Sequence, residues 1–376
     1  MTLPWYLARR FLRSVAMVTA VFIAILYLID MVEQIRRFSG GSVGLGQSAR
    51  LAALNLPGSL HTILPLIVLL ASVAMFLGLA RTSELVAIRA SGRSALRMLA
   101  APVAMALVVG ALAVAVLNPL VAATSKRYQT LADSFGGGSG PAISVGGRAI
   151  WLRQAEAPVD PAAAADTPQS AQAVIRADRA SLDATTLHGV TFLIFDPAAG
   201  PIRRIEAETA TLGPEGWALS QVKDWPLRAA NPETVATRAD SLTLPSTLTP
   251  ERIRDGVGSP AAVPVWKLPR FIADLEQAGF SAVRHRQWLA MELALPVLLA
   301  GMVLIAAGFT MRPARLARTG MAVLGALGAG LGVFFLRNLA QVLGDNGQIP
   351  VALAAAGPPA IAVLFALGLL LHLEDG

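Results

Sequence analysis

Few residues in this chain have the types and spacing for chemistry, and most of the expected signatures are missing. The only lysines are Lys126, Lys223 and Lys267. None lies in a Gly-rich loop, and no G-x-x-x-x-G-K-[ST] occurs, so ATP is not bound in the P-loop way. The four histidines, His61, His188, His285 and His372, have no i,i+4 partner and no carboxylate at metal-ligand spacing. Each reads as an interfacial or surface residue, and no metal is expected. There is no G-x-S-x-G elbow. With no cysteine, thiolate sites and cysteine nucleophiles are also excluded. Asp30 and Glu292 fall at the ends of apolar runs, so no proton relay through the middle of a membrane is read from them. The chain reads as a protein that is not an enzyme and has no cofactor of its own.

Three sets of residues do carry a positive signal. The first is Thr82-Ser83-Glu84-Leu85-Val86-Ala87-Ile88-Arg89-Ala90-Ser91-Gly92. Thr82 or Ser83 suits a helix N-cap, and Glu84 stands in the first turn, where the helix dipole favours a negative charge. Leu85 and Ile88 share a face, and Gly92 suits the C-terminal cap. The spacing predicts a short helix over about 82–92, with one acid in a basic loop. It suits a capped helix resting on lipid headgroups. It equally suits a helix docked in a groove of a cytoplasmic partner, with Glu84 meeting an arginine. The second set is Arg36 and Arg37, with Arg337 in a later apolar run beside Asn338. Arginine forks suit phosphate; the same residues also serve as interfacial anchors whose stems lie in lipid. The third is Gly328-x-x-x-Gly332, which permits close helix approach, within this chain or against another.

These residues must be positioned by a membrane-spanning scaffold. Of 376 residues, 55% are hydrophobic and 15% charged, against roughly 45–50% and 25% in soluble domains. Mean hydropathy is +0.59. Uncharged runs cover 63–80, 98–117, 293–311, 320–336 and 349–371, and a sixth, 14–29, is extended by Phe11, Leu12 and Met31 and reads as an uncleaved anchor. Hydrocarbon forces each to be a helix. Basic residues cluster before the first run (Arg9, Arg10, Arg13), after the second (Arg81, Arg89, Arg93, Arg97) and after the fourth (Arg312, Arg315, Arg318). Positive-inside then places both termini in the cytoplasm, with Arg36, Arg37 and Arg50 against the trend. The net charge of +7 is read as this topology signal and not as a nucleic-acid surface.

Between the third and fourth runs the composition changes. Alternation of period two in 205–212 and 217–222, and β-rich stretches at 149–153 and 190–195, argue for one all-β domain on the outer side. Consecutive apolar residues in 149–153 suggest a strand covered on both faces. Trp151, Phe192, Ile194, Trp217 and Leu219 are its candidate core. Residues 136–140 read as a linker, 155–168 as a Pro/Ala-rich loop, and 271–279 as an amphipathic helix. The layout is thus 1–120 with helices one to three, 121–285 as an outer β domain with linkers, and 286–376 with helices four to six.

Several stretches together resemble one family. TSELVAIRASGRSALRMLAAP (82–102), LNPL (117–120), AIWLRQ (149–154), LPRFIADLEQAG (268–279) and the closing LEDG (373–376) are similar to the permease subunits of the lipopolysaccharide-export ABC transporter, the LptF/LptG family, and closer to LptG. The resemblance runs over nearly the whole chain. It implies a β-jellyroll outer domain with an apolar slot for acyl chains. The implied partners are a homologous permease (LptF), an ATPase dimer (LptB) that binds the ATP, and the bridge proteins LptC and LptA. Lipopolysaccharide is the implied substrate and the bacterial inner membrane the implied location. By motif, Glu84, Leu85, Ile88, Arg89 and Gly92 are implied to form the coupling helix that meets the ATPase. Arg36 and Arg37 are implied to meet substrate phosphates, and Arg337, which the resemblance does not assign, is read as compensating for the departure at Asp30. Asp30 departs from members that carry a further basic residue there. Gly328 and Gly332 are implied to pack a gate against the partner permease.

Overall fold

The structure is a computed structural model. It describes residues 3–37, 44–90, 95–136, 142–146, 149–154, 172–181, 185–196, 200–213, 216–244, 246, 259–277, 280–311 and 319–374. Of the expected linker over 136–140, Gly136 ends a helix and 137–140 lie outside the described residues, as does the loop over 155–168. The chain divides into two compact units, Met1–Phe135 with Ala261–Trp266 and Val283–Gly376, and Gly136–Pro260 with Lys267–Ala282.

In the first unit, α1 is Leu3–Arg37, α2 Leu45–Arg81, α3 Glu84–Ala90, α4 Ala95–Leu112 and α5 Asn118–Gly136. Later come α7 (Val283–Thr310), α8 (Thr319–Asp345) and α9 (Val351–Glu374). Among the described residues six helical rods are long and apolar enough to cross a membrane, and each matches one of the six sequence runs to within two residues or contains it. The rods outrun the hydrocarbon. The 35 residues of α1 span about 52 Å at ~1.5 Å each, against roughly 30 Å of bilayer core. Its arginines at both ends therefore project toward headgroups and water, where their charge costs little.

α4 and α5 form one rod, joined by a π-helical turn at Ala113–Leu117. That turn explains LNPL. Pro119 has no N–H for the ladder, and the wider turn accommodates it. Asn118 is buried and its Oδ1 accepts the Val265 N–H at 2.9 Å, which fastens the short 259–266 segment to the rod. The helix then runs past residue 121, where the composition shifts, to Gly136.

α7 is the hub. It packs against α2, α4, α8 and α9, and 67% of its apolar window is buried, against 6% for α1. Close approach depends on small residues. A Cβ on Gly110 would lie 2.9 Å from Pro296 Cβ and nearer still to Pro296 Cα. Gly328 and Gly332 have nothing within 4 Å of such a Cβ, so they lie on an open face of α8, not in the packing of this chain.

The second unit is antiparallel. Its strands are β1 (Ala142–Gly146), β2 (Ala149–Gln154), β3 (Gln172–Ala177), β4 (Arg179–Ala180), β5 (Thr186–Asp196), β6 (Gly200–Gly213), β7 (Gly216–Pro226) and β8 (Thr237–Leu244). The sheet order is β1-β2-β3-β5-β6-β7-β8, with β4 also on β5. Neighbours in space are thus near neighbours in sequence, as in a meander. Phe192, Ile194, Trp217 and Leu219 are all buried on one face, with Phe192 and Trp217 edge-to-face at 6.1 Å. Trp151 is not core. It is 45% exposed while its neighbour Leu152 is buried. β2 is therefore not covered on both faces: alternate side chains leave opposite sides of a strand, and only the Leu152 side is covered. Two interruptions shift the alternation. Gly189 has φ +62 and lies against the Asp178 carboxylate, which leaves no room for a side chain. Gln221 takes φ 51, after which burial resumes at Val222 and not at Gln221. The amphipathic helix α6, Leu268–Gln277, starts three residues earlier than the 271–279 read from sequence and buries Leu268, Ile272 and Leu275.

Candidate functional site

The short helix exists where the sequence placed it, over Glu84–Ala90. The chain turns into it at Ser83, whose φ of 57 is left-handed and costs a non-glycine residue about 1 kcal/mol or more. Thr82 bends back so that its Oγ1 lies 3.0 Å from the Gly78 carbonyl as well as within reach of Glu84, its one hydroxyl hydrogen shared between the two acceptors. Glu84 then stands at the N-terminus of α3 with four hydrogen bonds to its carboxylate. Arg10 Nη1 donates to both oxygens at 2.8 Å, Tyr6 Oη donates to Oε2 at 2.8 Å, and Thr82 Oγ1 to Oε1 at 2.9 Å. Arg10 also donates to Tyr6 Oη and lies over its ring. These donors hold the Glu84 carboxyl below its ordinary value: the Arg10 bond is the largest influence, partial burial opposes it, and Tyr6 and Thr82 add to the lowering. The ion pair is 26% and 34% exposed on its two sides. A pair that wet is worth only about 0.2–1 kcal/mol, so it fixes the direction of the carboxylate more than it stabilises the fold.

The other residues of this helix divide. Leu85 is buried and belongs to the core of this chain, with Ile88 packed against that core. The apolar stripe is thus turned inward, while Ala87 is exposed. Gly92 and the Arg89 side chain lie outside the described residues. Tyr6 and Arg10 went unread. Their spacing of i,i+4 on one helix face was the available signal, but only the fold brings them to Glu84.

At the other end of α1, Arg36 donates to Glu33 at 3.1 Å and Arg37 to Tyr128 Oη at 3.3 Å. Tyr128 and the buried Gln34 exchange hydrogen bonds at 3.1 and 3.2 Å, which clips the end of α1 to α5. Asp30, in the same region, accepts from Ser59 Oγ at 3.3 Å. Arg36 and Arg37 are exposed, and the structure does not bring Arg337 out beside them as a surface cation. Arg337 is buried, with Glu292 within electrostatic range, so it does not snorkel.

Glu292, at the start of an apolar run, faces the interior. It sits nine residues into α7, about 13 Å along the axis at ~1.5 Å per residue, and is 2% exposed. His61 Nε2, on α2, lies 3.3 Å from its Oε2 and is likewise buried. His61 and His285 are therefore interior residues, not surface or interfacial ones. A lone polar residue inside an apolar run can face lipid or the bundle, and sequence spacing does not say which. α2, α7 and α8 thus share a buried polar cluster, in which the side chains of Gln287 and Trp288 have no hydrogen-bond partner among the described residues.

Comparison with known proteins decides the family. The model of the lipopolysaccharide export system permease LptF/LptG matches residues 5–372, across both units and all six apolar rods. The chain belongs to the LptF/LptG family. No curated protein matches it individually. Membership makes it a transport permease component of a lipopolysaccharide export system, and with six apolar rods a multi-pass membrane protein. α3 lies within the matched stretch, between the second and third rods, and the antiparallel sheet is the insert between the third and fourth.

Proposed function

We propose that this chain is the LptG-type permease subunit of an ABC transporter. On this reading it extracts lipopolysaccharide from the inner membrane and passes it to a periplasmic bridge, LptC and LptA. It pairs with a homologous permease, LptF, and is driven by a separate cytoplasmic ATPase dimer, LptB, which binds the ATP. Both termini are cytoplasmic and the β domain is periplasmic, with a jellyroll slot taking the acyl chains. α3 is the coupling helix. The single observation that supports this best is the placement of Glu84. Within a family match over residues 5–372, the one acid of a short helix outside the spans stands at that helix's N-terminus, oriented by Arg10. Arg36 and Arg37, exposed at the far end of α1, are suited to lipid A phosphates. The open glycine face of α8 suits a smooth contact with the second permease. The test is purification from native membranes in mild detergent, with identification of copurifying chains and lipid, beside a Glu84→Arg variant. An ATPase and lipopolysaccharide should copurify with the native chain. The variant should lose the ATPase, or uncouple it, with the β domain still folded. A stable chain that copurifies with neither is a membrane-anchored scaffold and sinks the reading.

One observation favours a second reading. The buried His61–Glu292 pair with Arg337 nearby is the kind of intramembrane ionisable group that ion-driven exporters use. That reading requires export to survive ATP depletion and to collapse with the proton gradient.

A further inference from the structure

The Glu84 carboxylate is already engaged by its own chain. Arg10 Nη1 lies against both oxygens, Tyr6 donates to Oε2, and Thr82 shares its one hydroxyl hydrogen between Oε1 and the Gly78 carbonyl. A second cation brought to this carboxylate meets the Arg10 guanidinium at close range, and like charges repel. It therefore competes with Arg10 for the site. Thr82 is local to the turn. Tyr6 and Arg10 come from α1, 78 and 74 residues away in sequence, so they are the donors that can leave without unfolding the corner. Two features make room for that movement. The Arg10 guanidinium lies over the last turn of α2 at Gly78, where a Cβ would sit 3.4 Å from Nη2, so no side chain pins it there. Both partners are partly exposed, so an incoming group reaches the edge of the carboxylate.

We propose that docking of a cationic side chain of the cytoplasmic ATPase onto Glu84 is an exchange, in which the incoming cation displaces Arg10 and Tyr6. Engagement of the coupling helix then frees the Tyr6 and Arg10 side chains from the corner, and disengagement recaptures them, while Leu7 and Phe11 keep α1 packed in the core throughout. One charge-assisted bond replaces another, so the exchange is close to balanced and reversible. The left-handed Ser83 corner stays held by Thr82 in either state. This inference rests on the reading of α3 as the coupling helix. It adds that the free chain competes with the ATPase for its own coupling carboxylate.

Competition has a sign that a purely structural clamp does not share. Apparent affinity falls by the fraction of molecules whose site is open, so removing the in-chain competitor should tighten binding. The experiment uses the chain paired with its homologous permease in nanodiscs, titrated with purified ATPase subunit in the absence of nucleotide. Arg10→Gln should lower Kd by about two- to sixfold, the range that follows when a competing contact worth about 0.2–1 kcal/mol is removed. Tyr6→Phe, which removes only one hydroxyl, should shift Kd in the same direction by less. Arg10→Lys should stay near the native value. Glu84→Gln should weaken binding and cancel the gain from Arg10→Gln. Unchanged or weaker binding in both Arg10→Gln and Tyr6→Phe, with Glu84→Gln still weakening it, overturns the exchange and leaves the coupling helix standing. A Glu84→Gln variant with native Kd overturns the coupling reading itself.

Discussion

Adding one methyl group at Gly110 tests the packing of the membrane unit. The helix carrying Gly110 crosses α7 at Pro296, backbone against backbone. A Cβ at residue 110 would lie 2.9 Å from Pro296 Cβ and 3.1 Å from its nitrogen. Carbon pairs rest at about 3.5–4.0 Å, so Pro296 Cβ alone asks α4 and α7 to part by ~0.6–1.1 Å, and Pro296 Cα, nearer still, asks for more. Neither side can yield by rotating a side chain, because the obstacle is a proline ring and its backbone. Overpacking of this kind costs about 1–3 kcal/mol, and the buried contacts around Leu298 and Leu299 loosen with it. Gly328→Ala is the control, since nothing lies within 4 Å of its added Cβ. Thermal unfolding of the two variants in one detergent, followed by intrinsic tryptophan fluorescence, measures the difference. Gly110→Ala should unfold at a clearly lower temperature and Gly328→Ala should match the parent to within about 0.5 kcal/mol. Equal stability of Gly110→Ala and the parent would refute the close crossing.

Other predictions follow from single contacts. Trp217→Ala empties a fully buried site in the sheet and should cost about 3–5 kcal/mol, whereas Trp151→Ala should cost far less; limited proteolysis between residues 136 and 260 separates them. Asn118→Ala strands the buried Val265 N–H and should cost about 1–3 kcal/mol, read as a lower unfolding temperature and earlier proteolysis near residue 265. The Glu84 clamp is pH-dependent with a fixed sign. Its carboxyl is lowered in the fold from an ordinary 4.5, so its contribution is complete above that value and fades as pH falls through the lowered one. The stability gap between the native chain and Glu84→Gln should therefore be constant at neutral pH and close only in acid; a gap that closes between pH 6 and 8 would exclude Glu84 as its source.

Much of the scaffold was legible because its physics is local. An apolar run of about 20 residues must be a helix in hydrocarbon, and all six runs are. A cap signal followed by Glu84 makes a short helix whatever surrounds it. Alternation put Trp217 and Leu219 on one face, and the fold buries that face. The same rule misled at Trp151, because one strand's pattern gives two faces without saying which is covered. Leu85 was read as part of a docking stripe, but the stripe faces inward and packs against this chain's own core.

The sequence by itself determined what each segment must be: which stretches enter lipid, which stay out, where the sheet is inserted, and to which family the chain belongs. Only the tertiary structure decided which polar groups meet. Tyr6 and Arg10 reach Glu84, and His61 reaches Glu292, across pairs of helices distant in the chain. Periodicity constrains residues a few positions apart; a contact between two helices depends on their rotation and depth against each other, and the packing of the whole bundle around α7 sets those.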